Sequence, residues 1–280
     1  MMRMRADHFH AHADSPPEPR TEQAAVSRSD AYWLRLLATG LCYFVFGVAT
    51  CVLGCIVLPI IRIASFNRLR AHRAARAVVG GGLRSFVGFM LAVGVLRYTV
   101  TGRERLGRPG QLIVANHPTL IDAAFLLGFV PAAICIVKEP LFRNFVTRGA
   151  VAAAGYIRSV PTDDMIHAAE LSLRGGQPLV IFPEGTRTVP GEPLQMQRAA
   201  ANIALRGARV LTPVFITCQP PTLSKHQPWY RIPPRRAHFT LHVGEDIDLA
   251  RYRSEPLPVA SRRLNSDLIA LFTQASAVRD

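Results

Sequence analysis

From Leu36 to Ile61 the chain carries no charged residue: LLATGLCYFVFGVATCVLGCIVLPII. At about 1.5 Å per residue, a helix over this run is longer than the roughly 30 Å hydrocarbon core of a bilayer. Few folds can hide such a segment, and a buried core helix does not ordinarily reach this length. It also begins too late and runs too long for a secretory signal, and no small-residue cleavage site follows. A membrane anchor is therefore expected, either spanning with some tilt or lying in the interface.

The flanks of the run differ. Between Arg62 and Arg103 the charges are Arg62, Arg68, Arg70, Arg73, Arg76, Arg84, Arg97 and Arg103, with no acid among them. Before the run, Arg20 and Arg28 mix with Glu18, Glu22 and Asp30. Under the positive-inside rule this asymmetry puts the rest of the chain on the cytoplasmic face, the inner membrane if the source is bacterial. It also sets the basic stretch against anionic headgroups. Residues 78–96 form a second apolar stretch, expected to lie in the interface or to form a hairpin with the first.

The whole chain has 33 Lys and Arg against 19 Asp and Glu, a formal charge of +14, so an anionic partner is expected. The arginines cluster beside the apolar run and in no recognisable nucleic-acid module, so membrane lipids are the expected partner and nucleic acid is not. The five cysteines show no C-x-x-C and no zinc-ligand spacing, which excludes a disulfide framework and predicts no metal.

Three regions follow: a polar, disordered tail at 1–30, membrane-anchoring helices with a basic flank at 31–98, and an α/β domain at 99–280. In the last, the runs QLIVA, AAICIV, PLVIF and RVLTPVFI have strand length. Helical segments are expected around 121–128, 140–153, 164–174 and 196–206 between and beside them. Alternation of this kind predicts a largely parallel sheet flanked by helices. Residues 219–236, QPPTLSKHQPWYRIPPRR, read as a Pro-rich loop whose Trp229, Tyr230 and basic residues suit a membrane interface.

Two strand ends carry chemistry. ANHPTLID at 115–122 places His117 and Asp122 five positions apart, which on one continuous helix would separate them by roughly 140°. They can meet only if His117 lies in a loop and the helix starts after it, as Pro118 and Thr119 favour. Asp122 would then accept from one ring nitrogen and leave the other as a base. The same residues read as a capping box from Thr119 to Asp122, in which case the acid needs no catalytic role. At the second strand end, FPEGTR at 182–187 offers Glu184, a glycine that permits close approach, and Arg187 for an anion. In a parallel sheet both loops open on one edge.

Taken together, NHPTLID and FPEGTR resemble the glycerophospholipid acyltransferase family, represented by the 1-acylglycerol-3-phosphate (lysophosphatidate) acyltransferases. VKEPLF with GYIRS, and LTPVFI, agree more weakly, and the resemblance covers about residues 95–250. It implies His117 and Asp122 as the catalytic pair, and Glu184, Gly185, Thr186, Arg187, Arg158 and Lys138 on the substrate-binding side. It further implies transfer of a fatty acyl group to a lysophospholipid hydroxyl. The donor would be an acyl thioester, acyl-carrier protein or acyl-coenzyme A, and no cofactor is expected. Ala199 stands where the family often has glycine, and the Pro-rich loop is not general to it, which leaves another acceptor open. A thioesterase and a non-catalytic lipid-binding module are the other readings. No G-x-S-x-G supports the first, and the intact motifs oppose the second.

Overall fold

The computed structural model describes residues 31–160, 162–189 and 191–277; the expected polar tail at 1–30 lies outside the described residues. The uncharged run is helical throughout. Helix α1 (Tyr32–Val52) passes through a π-helical turn at Leu53–Val57 into α2 (Leu58–Ala64). Pro59 cannot donate to the preceding turn, and the wider π turn beside it absorbs that lost bond. One face of α1 is buried at Arg35, Thr39 and Cys42; the opposite face exposes Leu34, Leu37, Leu41, Phe44, Val48 and Val52. The spacing of three and four residues is that of a helical stripe.

Asn67 caps α3 (Arg68–Ala92), its side-chain oxygen accepting from Leu69 N at 2.7 Å. The second apolar stretch thus forms a helical hairpin with the first. Both helices are long and apolar enough to cross a membrane, yet α3 buries Ala71, Ala75, Val79, Val87 and Met90 within the protein. Part of the basic stretch is likewise turned inward, contrary to its expected place against lipid. Arg76 is 4% exposed and donates to Ala154 O and Gln177 Oε1. Arg62, Arg68, Arg70, Arg73 and Arg84 remain exposed, Arg84 while donating Nε to Gly128 O.

The sheet elements follow: β1 (Leu96–Thr101), β2 (Gln111–Ala115), α4 (Asp122–Phe129), β3 (Ile134–Val137), α5 (Pro140–Arg143), α6 (Arg148–Ala153) and β4 (Ile157–Arg158). After them come α7 (Asp163–Arg174), β5 (Leu179–Ile181), α8 (Ala199–Gly207), β6 (Val210–Gln219), β7 (Ala237–Val243), α9 (Ala250–Arg253) and α10 (Leu257–Ala277). Strand order is β1-β7-β6-β2-β5-β3-β4, with every neighbouring pair parallel except β6 and β7. This is the α/β architecture expected, a mostly parallel sheet flanked by helices.

Central strand β2 shows why. All five residues are buried: Leu112 and Val114 face the layer formed with α7, α8 and α10, while Ile113 and Ala115 face the layer formed with α3 and α4. A strand covered on both sides reads as a continuous apolar run, as QLIVA does. The helix expected at 140–153 is two helices instead. Asn144 adopts an extended backbone and its side chain accepts from Val146 N at 2.9 Å, which ends α5 and turns the chain.

Candidate active site

At the end of β2 the side chain of Asn116 takes over the ladder. Its Nδ2 donates to Ile216 O at 2.8 Å and its Oδ1 accepts from Ile216 N at 2.7 Å. The backbone can then leave the sheet at once, putting His117 at the carboxyl edge while α4 starts only at Asp122. The pair meets as that break requires. His117 Nδ1 donates to Asp122 Oδ2 at 2.8 Å, which makes Nδ1 the protonated nitrogen against the carboxylate. The same oxygen accepts from Thr119 N at 2.7 Å, and Oδ1 accepts from the Thr119 hydroxyl at 2.5 Å. Half of the capping box is present: the acid takes the Thr119 amide, but the hydroxyl turns to the acid and caps no helix amide.

The second motif holds the histidine by its backbone. Gly185 closes a turn onto Phe182 O at a φ of +65°, a left-handed geometry that favours glycine, and a Cβ there would stand 2.5 Å from Gln197 Nε2. Glu184 Oε1 accepts from His117 N at 2.9 Å and from the Thr188 hydroxyl at 2.8 Å, while Thr188 N donates to His117 O at 2.7 Å. The Phe182 ring stacks on the imidazole with centroids 4.3 Å apart. Thus His117 is fixed at its amide, its carbonyl, its Nδ1 and one ring face. Nothing among the described residues bonds its Nε2, and the side chain keeps 20% exposure.

Both carboxyl groups sit above their ordinary range. Burial of Asp122, which is wholly enclosed, pushes its carboxyl up, opposed by the bonds and charge of His117 and by the Thr119 bonds. Burial also raises Glu184, opposed by the Thr188 hydroxyl, the His117 amide and the His117 charge, with the nearby Asp122 charge acting in the same direction as burial.

The remaining expected residues are distributed along the same edge. Thr186 lies half-buried in the Gly185 turn, and Arg187 Nη1 donates to Leu223 O and Ser224 O, both at 2.9 Å. Leu223 O also accepts from Leu120 N, so Arg187 borders the His117 loop. Lys138 and Arg158 lie at the ends of β3 and β4, beyond β5 from His117. Lys138 is exposed; Arg158 pairs with Glu139 at 3.3 Å and rests over the Phe142 ring. An open groove of about 640 Å³ runs between the starts of α7 and α8, and Gln197 on its wall adjoins the Gly185 turn. Asn116, Phe182 and Thr188 escaped the sequence reading, although the first two stand inside its motifs. Their roles are contacts across strands, which local spacing does not encode.

The family profile described as Acyltransferase matches residues 97–217, from β1 to β6 and across both motifs. Over these residues the chain is similar to the acyltransferase family. A similar curated protein is the 1-acyl-sn-glycerol-3-phosphate acyltransferase of Helicobacter pylori, 34% identical over 99 residues. That match covers 33% of this chain and 42% of the relative, so the chain spans under half the length of that protein. Among solved structures, the 1-acyl-sn-glycerophosphate (LPA) acyltransferase PlsC of Thermotoga maritima superposes with a TM-score of 0.68. The superposition covers 88% of this chain and 97% of that one at 20% identity, a likeness of fold. The acyltransferase resemblance of the two motifs and the expected fold class are both borne out.

Proposed function

We propose that the protein is a membrane-associated acyltransferase that moves a fatty acyl group from an acyl thioester to the hydroxyl of 1-acylglycerol-3-phosphate. The observation that carries this reading is the 2.8 Å contact of His117 Nδ1 with buried Asp122, in a loop bonded to Glu184 of the second motif. With Nδ1 committed to the carboxylate, Nε2 takes the proton of the acceptor hydroxyl as its oxygen attacks the thioester carbonyl. The C–S bond breaks, and the thiolate of coenzyme A or acyl-carrier protein leaves with a proton returned by the imidazolium. Asp122 stabilises that imidazolium in between. Arg187 spends one terminal nitrogen on the loop carbonyls and offers its other N–H groups to the acceptor phosphate; Lys138 and Arg158 lie outward on the same edge for an anionic substrate. The chemistry calls for no cofactor or metal, since binding both substrates in register is a large part of the rate.

In this reading residues 31–98 hold the chain at the cytoplasmic face and residues 99–280 carry the reaction. An in-plane placement of α1 fits better than a spanning one. Trp229 contacts α1 at Gly40 and Tyr43, Phe86 meets Phe46, and Gly149 meets Gly54, so protein backs the helix along much of its length. Its exposed stripe is left for one leaflet.

The test uses the purified full chain in mixed lipid vesicles, offered lysophosphatidate with acyl-coenzyme A or acyl-carrier protein and, separately, a panel of other hydroxyl and amine acceptors. Phosphatidate formation that His117→Ala lowers by at least about a hundredfold is the expected result. No acylation of lysophosphatidate, with transfer to another acceptor, removes the assigned substrate. Fatty-acid release at full rate without acceptor identifies a thioesterase. Unchanged transfer by His117→Ala removes the general base.

A further inference from the structure

The Pro-rich segment between β6 and β7 is tied down at both ends by arginines from distant parts of the chain. Arg35, buried in α1, donates Nη1 to Pro233 O at 3.0 Å and Nη2 to Pro234 O at 2.7 Å. At the other end Arg187 holds Leu223 O and Ser224 O. Between these clamps the Trp229 ring packs 5.4 Å from Tyr43, and it lies against Gly40, which has no side chain to displace it. The segment therefore leans on the anchor helix while its inner end borders the His117 loop.

Its outer side has a consistent chemistry. From Gln219 to Gly244 there is no acid, whereas Lys225, Arg231, Arg235 and Arg236 are present. Arg231 and Arg235 are exposed, and Trp229 and Tyr230 keep 44% and 58% exposure. Trp33, at the start of α1, is 74% exposed, and the exposed apolar stripe of α1 continues from it. Aromatic rings beside cations at the border of an apolar face match the headgroup layer of an anionic bilayer.

We infer that the segment 219–236 is an anionic-lipid contact surface, a third membrane contact besides the two helices, whose inner carbonyls hold Arg187 at the acceptor site. The surface rests on the membrane association proposed above and extends it to a lipid class. Because one strap carries both contacts, headgroup binding at Arg231 and Arg235 steadies the Leu223 and Ser224 carbonyls that position Arg187.

The chain has two tryptophans, so Trp33→Phe leaves Trp229 as the sole reporter. Its emission is expected to move to shorter wavelength on phosphatidylcholine vesicles containing phosphatidylglycerol, and less on phosphatidylcholine alone. Adding Arg231→Gln and Arg235→Gln should abolish that difference and weaken partitioning onto the anionic vesicles by about thirtyfold. The same double substitution should raise the acceptor KM severalfold on those vesicles. Equal emission on both vesicle types, or a difference that survives the double substitution, overturns the lipid surface. An unchanged acceptor KM overturns its link to Arg187. The emission and partitioning readouts need no turnover, so they decide the surface even if the acylation assay fails; binding to neither vesicle overturns the membrane association itself.

Discussion

The centre and the β4 end of the carboxyl edge of the sheet are built in opposite ways. At the centre, beside β2 and β5, His117 is held at four points and its supporting carboxylates are largely withdrawn from water. At the β3 and β4 end, Lys138 stands exposed and Arg158 is tied by an ion pair and a ring contact, with its side chain 56% exposed. A group that must present one nitrogen in one direction needs neighbours that leave it no alternative. A group that meets an anion arriving from solvent keeps its hydration and its reach. The contrast separates an arrangement assembled before substrate arrives from one that substrate completes.

Asp122→Asn breaks the contrast most severely. It keeps the shape but removes the charge that faces the imidazolium, and the acylation rate should fall about a thousandfold, with a smaller change in acceptor KM. Next is Asn116→Ala, which strands the Ile216 N–H and C=O where β6 runs on past the end of β2; denaturant titration should register a loss of about 2 kcal/mol. Gly185→Ala forces a left-handed φ on alanine, and about 1 kcal/mol of stability should go with it; the Gln197 amide, being the tip of a flexible side chain, can move aside.

Glu184→Gln probes burial through pH. The folded-state carboxyl titrates above its ordinary value, so its contribution to stability is full in acid and is lost as pH rises through the folded value. Thermal midpoints of the natural chain relative to the Gln variant should therefore be most favourable at and below the ordinary Glu value, about pH 4, and decline as pH rises above it. A difference that grows with pH would contradict the burial argument. Smallest is Arg158→Gln, expected to change stability by less than about 0.5 kcal/mol, because the Glu139 pair is exposed, while raising the acceptor KM less than tenfold.

Much of this was legible in advance where neighbours in sequence decide the outcome. Pro118 and Thr119 separate the loop from the helix, and that break alone permits His117 to meet Asp122. The runs QLIVA and PLVIF became buried strands because their apolar pattern has no polar face. By contrast β7, whose alternation in AHFTLHV follows the Pro-rich segment, and the long α10 were not read. The expected helix at 140–153 failed at Asn144, where a side-chain oxygen captured a backbone amide. The lipid-facing assignment of Arg76 failed for another reason: charge alone does not tell whether a carbonyl or a headgroup lies opposite.

By itself the sequence determined the apolar run that must leave water, the alternation that makes an α/β sheet, and the two turns that carry the site. Each of these rests on covalent neighbours within a turn or two of chain, where steric and hydrogen-bonding preferences act before any distant contact forms. Tertiary structure alone decided that Glu184 grips the His117 backbone, that Asn116 extends β2 onto β6, and that α1 lies against the protein with one face free. Those contacts join residues tens of positions or more apart. Which of them meet depends on strand order and helix packing, quantities that no short stretch of sequence contains.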